Sequence, residues 1–185
     1  MLLLSWKEIV MKGLVHIYTG NGKGKTTAAV GLGFRAWGRG MKVLMVQFLK
    51  GMESGELIAA EKLGPTFTVN PGIYLKKFTW SMDDDELKNA ADVQKQQFEY
   101  ALQESRANKW DLIILDEIMA AIYTGMIPVE EVLAFIQSKP DSLELVLTGR
   151  NAPPSLIEAA DYVSEIQEVK HPMKKGIGAR KGIED

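Results

Sequence analysis

Hydrophobic positions along this chain gather into short runs of strand length, at residues 14–18, 42–48, 66–69, 73–77, 110–117, 143–147 and 162–166. Residues 42–48 alternate little, and Leu112 to Leu115 is apolar at four successive positions, the pattern of strands buried on both faces. Helix-compatible stretches lie between the runs, at residues 27–37, 55–63, 128–138 and 156–160. A longer one starts near Asp83 and runs to about Asn108, with Leu87, Ala91, Phe98 and Leu102 on one apolar face. Ser81 and the acidic run from Asp83 to Glu86 suit the start of that helix, as a polar cap and negative charge near its amino end. The terminus accounts for Asp83, Asp84 and Asp85 without a metal. Strands alternating with helices predict an α/β fold with a mostly parallel sheet and helices on both faces.

The junction of the first strand and first helix reads T-G-N-G-K-G-K-T-T, Thr19 to Thr27. A glycine-rich turn between strand and helix is the context in which a phosphate-binding loop works. Gly20, Gly22 and Gly24 allow the backbone to curl, so that amide N–H groups converge on phosphate oxygens. Lys25 would neutralise phosphate charge and Thr26 would offer its hydroxyl to Mg²⁺. The usual pattern has a glycine where Thr19 stands. A glycine-rich turn with solvated lysines is the plain alternative.

The second signal is W-D-L-I-I-L-D-E, Trp110 to Glu117. Asp116 and Glu117 emerge at the carboxyl end of a buried strand, the arrangement that holds Mg²⁺ opposite a phosphate-binding loop. The other reading of the pair is an ordinary helix start. Gln47 and Lys50 also stand at a strand's carboxyl end, where α/β folds bind ligands, though loop residues in water would look the same. Arg35, two turns along the first helix, is a surface arginine or a nucleotide contact. His16 reads as a satisfied core histidine. Phe78 and Trp80 fall between elements, either at a cleft edge against a flat ligand or in a core cluster with Trp110.

Composition narrows the function classes. The 185 residues carry a formal net charge of −2, which gives no global call for nucleic acid or an anionic membrane. There is no cysteine, so disulfides and thiolate chemistry are excluded. No apolar run approaches a membrane span. Three units are expected: an amino-terminal arm or short helix at 1–12, a domain at 13–169, and a basic glycine-containing segment at 170–185. The first ten residues lack the marks of a signal peptide, and Met11 is an alternative start. The last segment holds Lys170, His171, Lys174, Lys175, Arg180 and Lys181 with three glycines, and is either a solvated tail or a hinged flap closing over polyphosphate.

Several stretches together resemble one family, the P-loop ATP:corrinoid adenosyltransferases. They are G-N-G-K-G-K-T-T-A-A from Gly20, R-A-W-G-R-G from Arg35, V-Q-F-L-K-G from Val46, and G-E at Gly55 and Glu56. F-T-W from Phe78, L-D-E from Leu115, T-G-R-N-A-P from Thr148, A-D-Y-V-S-E from Ala160 and V-K-H-P from Val169 complete the set. The resemblance implies a RecA-like P-loop domain, a homodimer and a cytoplasmic setting. It implies that a Co(I) corrinoid attacks C5′ of ATP and releases triphosphate, with an electron-donating reductase such as flavodoxin supplying Co(I). Gly20, Asn21, Gly22, Lys23, Gly24, Lys25, Thr26 and Thr27 would cradle ATP, bound in a reversed sense so that C5′ faces the acceptor. Arg35, Arg150 and Asn151 would help place its nucleoside or phosphates. Thr26, Asp116 and Glu117 would serve Mg²⁺, while Phe78 and Trp80 would face the lower side of the corrin. A P-loop ATPase, a small-molecule kinase and a nucleotide-regulated interaction protein remain the alternatives on the residues alone.

Overall fold

The structure, a computed structural model, describes residues 12–50, 54–72 and 79–184, with Trp80 described in its backbone only. Residues 1–11 of the arm expected at 1–12, the run at 73–77 and Phe78 lie outside the described residues. Among the described residues, six parallel strands form one sheet in the order β3-β2-β4-β5-β1-β6. They are β1 (Val15–Thr19), β2 (Val43–Gln47), β3 (Phe67–Asn70), β4 (Leu112–Asp116), β5 (Glu144–Thr148) and β6 (Tyr162–Glu165). The described residues include six α-helices that connect them: α1 (Lys25–Trp37), α2 (Gly55–Leu63), α3 (Asp84–Arg106), α4 (Ile118–Tyr123), α5 (Val129–Ser138) and α6 (Pro154–Ala159).

The unbroken apolar runs follow from burial on both sides. In β4, Leu112 and Ile114 face one core with Val43 and Met45 of β2, while Ile113 and Leu115 face the other with Leu44 and Val46. The first core is closed by Ala29 and Ala36 of α1 and Ala60 of α2; the second by Phe98 of α3, Val132 and Phe135 of α5, and Leu156 of α6. This is the expected α/β architecture with helices on both faces.

Three local readings change. The buried face of α3 runs through Ala90, Gln94, Phe98, Ala101 and Ser105, with Leu87, Ala91 and Leu102 on its half-buried flanks. Apolar side chains alone misplaced it by a fraction of a turn, because Gln94 and Ser105 are polar yet buried. The cap of α3 is Asp83 rather than Ser81. Its carboxylate accepts the Glu86 N–H at 2.9 Å and the Glu86 carboxylate accepts the Asp83 N–H at 3.1 Å, a reciprocal capping box. The short buried helix α4 went unread, since six residues apolar on most sides carry no helical period.

His16 is satisfied, as expected. It bonds Glu144 at 2.5 Å and stacks on Tyr162, at the end of the sheet opposite the phosphate loop. Burial raises the Glu144 carboxyl, but hydrogen bonds from His16 and the Leu14 N–H outweigh it and leave the group below its ordinary value.

Candidate active site

The carboxyl ends of β1, β4 and β5 converge on one cavity of about 670 Å³. The loop after β1 forms its floor. Thr19 still belongs to the strand, and the first left-handed residue is Gly20, at φ 98°. That places the essential glycine one position later than the usual pattern. A Cβ on Gly20 would lie 2.4 Å from the Ile166 carbonyl oxygen. The chain leaving β6 holds the loop in turn: Gly22 N–H donates to the Ile166 oxygen at 2.7 Å, and Ile166 N–H donates to Thr19 at 2.8 Å. Gly24, at φ 119°, precedes α1.

Lys25 is clamped within this loop. Its Nζ donates to the carbonyls of Gly20 and Gly22, both at 2.9 Å, and the residue is 7% exposed. An ammonium has three protons, so one remains for a ligand. Burial pushes its pKa down, and Glu117 opposes that shift.

Asp116 lies beneath the loop at 1% exposure. Its Oδ1 accepts the hydroxyls of Thr26 and Thr148, each at 2.8 Å, and Thr148 Oγ1 accepts the Glu117 N–H at 2.9 Å. Its Oδ2 is buried and has no hydrogen-bond partner among the described residues. Such an orphaned oxygen is costly unless a ligand completes it. β5 lies between β1 and β4, so Thr148 can tie the two motifs together. Glu117 stands at φ 60° immediately before α4, which reconciles both sequence readings of the pair: strand end and helix start. Burial raises both carboxyls above their ordinary values; hydrogen bonds from Thr26 and Thr148 offset part of this for Asp116, and the charge of Asp116 adds to it for Glu117.

These oxygens fit Mg²⁺. The donors are hard, and Mg²⁺ takes few protein ligands, completing its shell with phosphate and water. No cage of three or more His, Cys, Asp or Glu occurs among the described residues.

Asn21, Gly22, Lys23, Gly24, Lys25, Thr26, Thr27, Glu117 and Arg150 all line the cavity. Gly20 contributes its carbonyl to Lys25 and Asp116 stands behind the wall. Arg35 is exposed on α1 and acts electrostatically on Tyr18, away from the lining. Asn151 is an exposed left-handed turn residue, φ 55°, and is also off the lining. Lys50 and Glu56 line the wall. So do His171, Gly182, Ile183 and Glu184 of the carboxyl-terminal segment. Thr148 was missed because a threonine ending a buried strand looks like any strand residue.

The segment packs against the site rather than only trailing into solvent. Arg180 forms a paired hydrogen bond with Glu184 at 2.9 and 3.1 Å, which pulls the Glu184 carboxyl down to about 2. Lys174 pairs with Glu168 at 2.5 Å. Removing residues 170–185 is expected to weaken Mg·ATP binding about tenfold, the loss of about 1.4 kcal/mol of ligand contact. Melting temperature should fall by no more than about 2–4 °C. Calorimetric titration and thermal melts of the truncated chain check both; unchanged affinity would return the segment to a solvated tail.

Comparison with known proteins agrees with this geometry. Residues 11–184 match the family described as ATP:corrinoid adenosyltransferase BtuR/CobO/CobP. A Corrinoid adenosyltransferase of Pseudomonas aeruginosa is 39% identical over 175 residues, covering 94% of this chain and 84% of that protein. One from Sinorhizobium sp. is 40% identical over 179 residues, covering 94% and 80%. One from Escherichia coli K12 is 36% identical over 174 residues, covering 94% and 86%. The chain therefore belongs to the ATP:corrinoid adenosyltransferase family.

Proposed function

We propose that the cavity holds Mg·ATP with its triphosphate on the β1–α1 loop and C5′ turned toward a corrinoid. The family's reaction is transfer of the 5′-deoxyadenosyl group of ATP to the cobalt of a corrinoid. The Co(I) electron pair forms the Co–C5′ bond, the C5′–O5′ bond breaks, and triphosphate leaves with that bond's electrons. Co(I) is itself the nucleophile, so no general base is needed. What the protein must supply is position and charge compensation for the leaving group.

Asp116 is the observation that carries this reading: a buried carboxylate under the loop, with one oxygen shared by two hydroxyls and the other unfilled. Thr26, Asp116 and Glu117 would hold Mg²⁺, which would supply positive charge against the triphosphate. Lys23, Lys25 and Arg150 face the same phosphates. The orientation of Lys25 is fixed in advance, since two loop carbonyls already hold it. Arg35 and Asn151, both exposed, would help place the nucleoside or phosphates. A RecA-like classification is supported by the strand order, in which one strand separates the phosphate-loop strand from the carboxylate strand. A homodimer, an electron-donating reductase such as flavodoxin and a cytoplasmic setting rest on family likeness. No helix among the described residues is long and apolar enough to cross a membrane.

ATP carbon-labelled at C5′, incubated anaerobically with Mg²⁺ and chemically reduced corrinoid, tests the reading. The label should appear bonded to cobalt; label remaining entirely in adenosine phosphates would refute it.

By family likeness, Phe78 and Trp80 would supply an apolar wall beneath the corrin. Such a wall excludes a lower axial ligand and leaves Co(II) four-coordinate, which eases its reduction to Co(I). Phe78→Ala and Trp80→Ala should keep ATP affinity within a few-fold while losing the four-coordinate Co(II) signal in electron paramagnetic resonance. An unchanged signal in both variants would return these aromatics to a packing role.

A further inference from the structure

Gln94 is a polar side chain at 1% exposure, on the face of α3 that also carries Ala90, Phe98 and Ala101. An apolar residue would fill such a place without the cost of burying an amide. Its Oε1 accepts the backbone N–H of Leu49 at 2.9 Å. Leu49 has φ 50°, a left-handed conformation that clashes with a Cβ and is uncommon for leucine. The residue before it is fixed, because Phe48 is buried and its N–H donates to the Asp116 carbonyl at 2.9 Å. The residue after it, Lys50, lines the cavity.

A strand that continued extended from Phe48 would carry the chain onward past the sheet end. One left-handed residue redirects it. The acceptor on Gln94 offsets the unfavourable backbone of Leu49, and the redirected chain brings Lys50 to the wall. There Lys50 lines the same cavity as Lys25, Glu117 and Arg150.

We propose that Gln94 is a positioning residue for Mg·ATP: by holding Leu49 in its left-handed turn, it delivers the Lys50 ammonium to the phosphate end of the cavity. The proposal rests on the reading of that cavity as the Mg·ATP site. Gln94 touches no substrate in this scheme and acts only through Leu49 and Lys50.

The test is a double-mutant cycle read by calorimetric titration of the full chain with Mg·ATP, without corrinoid. Gln94→Met keeps the bulk and removes the amide acceptor; Lys50→Ala removes the charge. Each alone should weaken Mg·ATP binding by about five- to tenfold, in the range of one lost hydrogen bond or charge contact. Together they should weaken it no more than Lys50→Ala does alone, because residues acting through one contact are not additive. A purely structural glutamine would lower the melting temperature and leave affinity unchanged, or give losses that multiply in the double variant. Either result overturns the proposal. If Gln94→Met does not fold, Gln94→Asn enters the same cycle, since shortening the side chain withdraws the acceptor while keeping an amide. A wild-type chain that binds no Mg·ATP would instead overturn the cavity reading, and the proposal with it.

Discussion

Lys25→Ala is expected to lower adenosyl transfer by about 10³-fold, the upper range for removing one preorganised charge-stabilising group. The reason lies in how Lys25 is held. Two of its three protons are committed to Gly20 and Gly22, so the third can meet phosphate without a search through side-chain conformers. A free surface lysine would lose that rotamer freedom on binding. The same clamp predicts a secondary effect on the loop. Without the ammonium, two carbonyls lose a partner at the start of α1, and the melting temperature should drop by about 2–4 °C for each kcal/mol lost. The rest of the sheet is packed independently of this side chain. Lys25→Met separates the two effects only in part, since it keeps the buried stem but also abandons the carbonyls. Steady-state transfer and thermal melts of both variants are the measurements. Transfer within tenfold of wild type in either variant would remove Lys25 from the phosphate site.

Asp116→Asn and Glu117→Gln should each cost about 10²–10³-fold in transfer, while leaving the ligand-free fold intact or more stable near neutral pH. Both carboxyls have folded pKa values raised above the ordinary ones, chiefly by burial. The sign follows from linkage. Between the unfolded and folded pKa values the native chain binds more protons than the unfolded chain, so stability is full below the unfolded value and is lost as pH rises through the folded one. Ionising these groups without a metal therefore strains the apo protein. Neutral amides remove that strain, so the loss of stability as pH rises above the ordinary carboxylate range should be smaller for the variants than for wild type in chelator. Mg²⁺ with ATP should restore stability to the wild type and much less to the variants. The Thr26 and Thr148 hydroxyls keep an acceptor in Asp116→Asn if the amide oxygen takes the Oδ1 place. A large loss of apo stability in both variants, with Mg²⁺ dependence unchanged, would mark the pair as structural.

Much of this was legible because burial on both faces writes itself as unbroken apolar runs. Residues 112–115 could belong to a covered parallel strand, and Gly20 to Thr27 could only be placed where a strand meets a helix. Both motifs are local in sequence. What stayed hidden was held by contacts distant along the chain. Thr148 joins the site through Asp116, 32 residues away, and Gln94 reaches Leu49 across 45. A polar residue that is buried for such a partner looks, in sequence, like an exposed one; this is also why the face of α3 was misaligned. The carboxyl-terminal segment was ambiguous for a different reason, since composition records charge and glycine content but not that Arg180 and Glu184 close on each other beside the loop.

The most direct test of the account is the fate of the phosphates in a single turnover, with excess enzyme, Mg·ATP and Co(I) corrinoid under anaerobic conditions. Anion chromatography should show intact triphosphate appearing at the rate at which the Co–C bond forms, and in equal amount. ADP or orthophosphate appearing in step with corrinoid consumption, with no triphosphate phase, would contradict it.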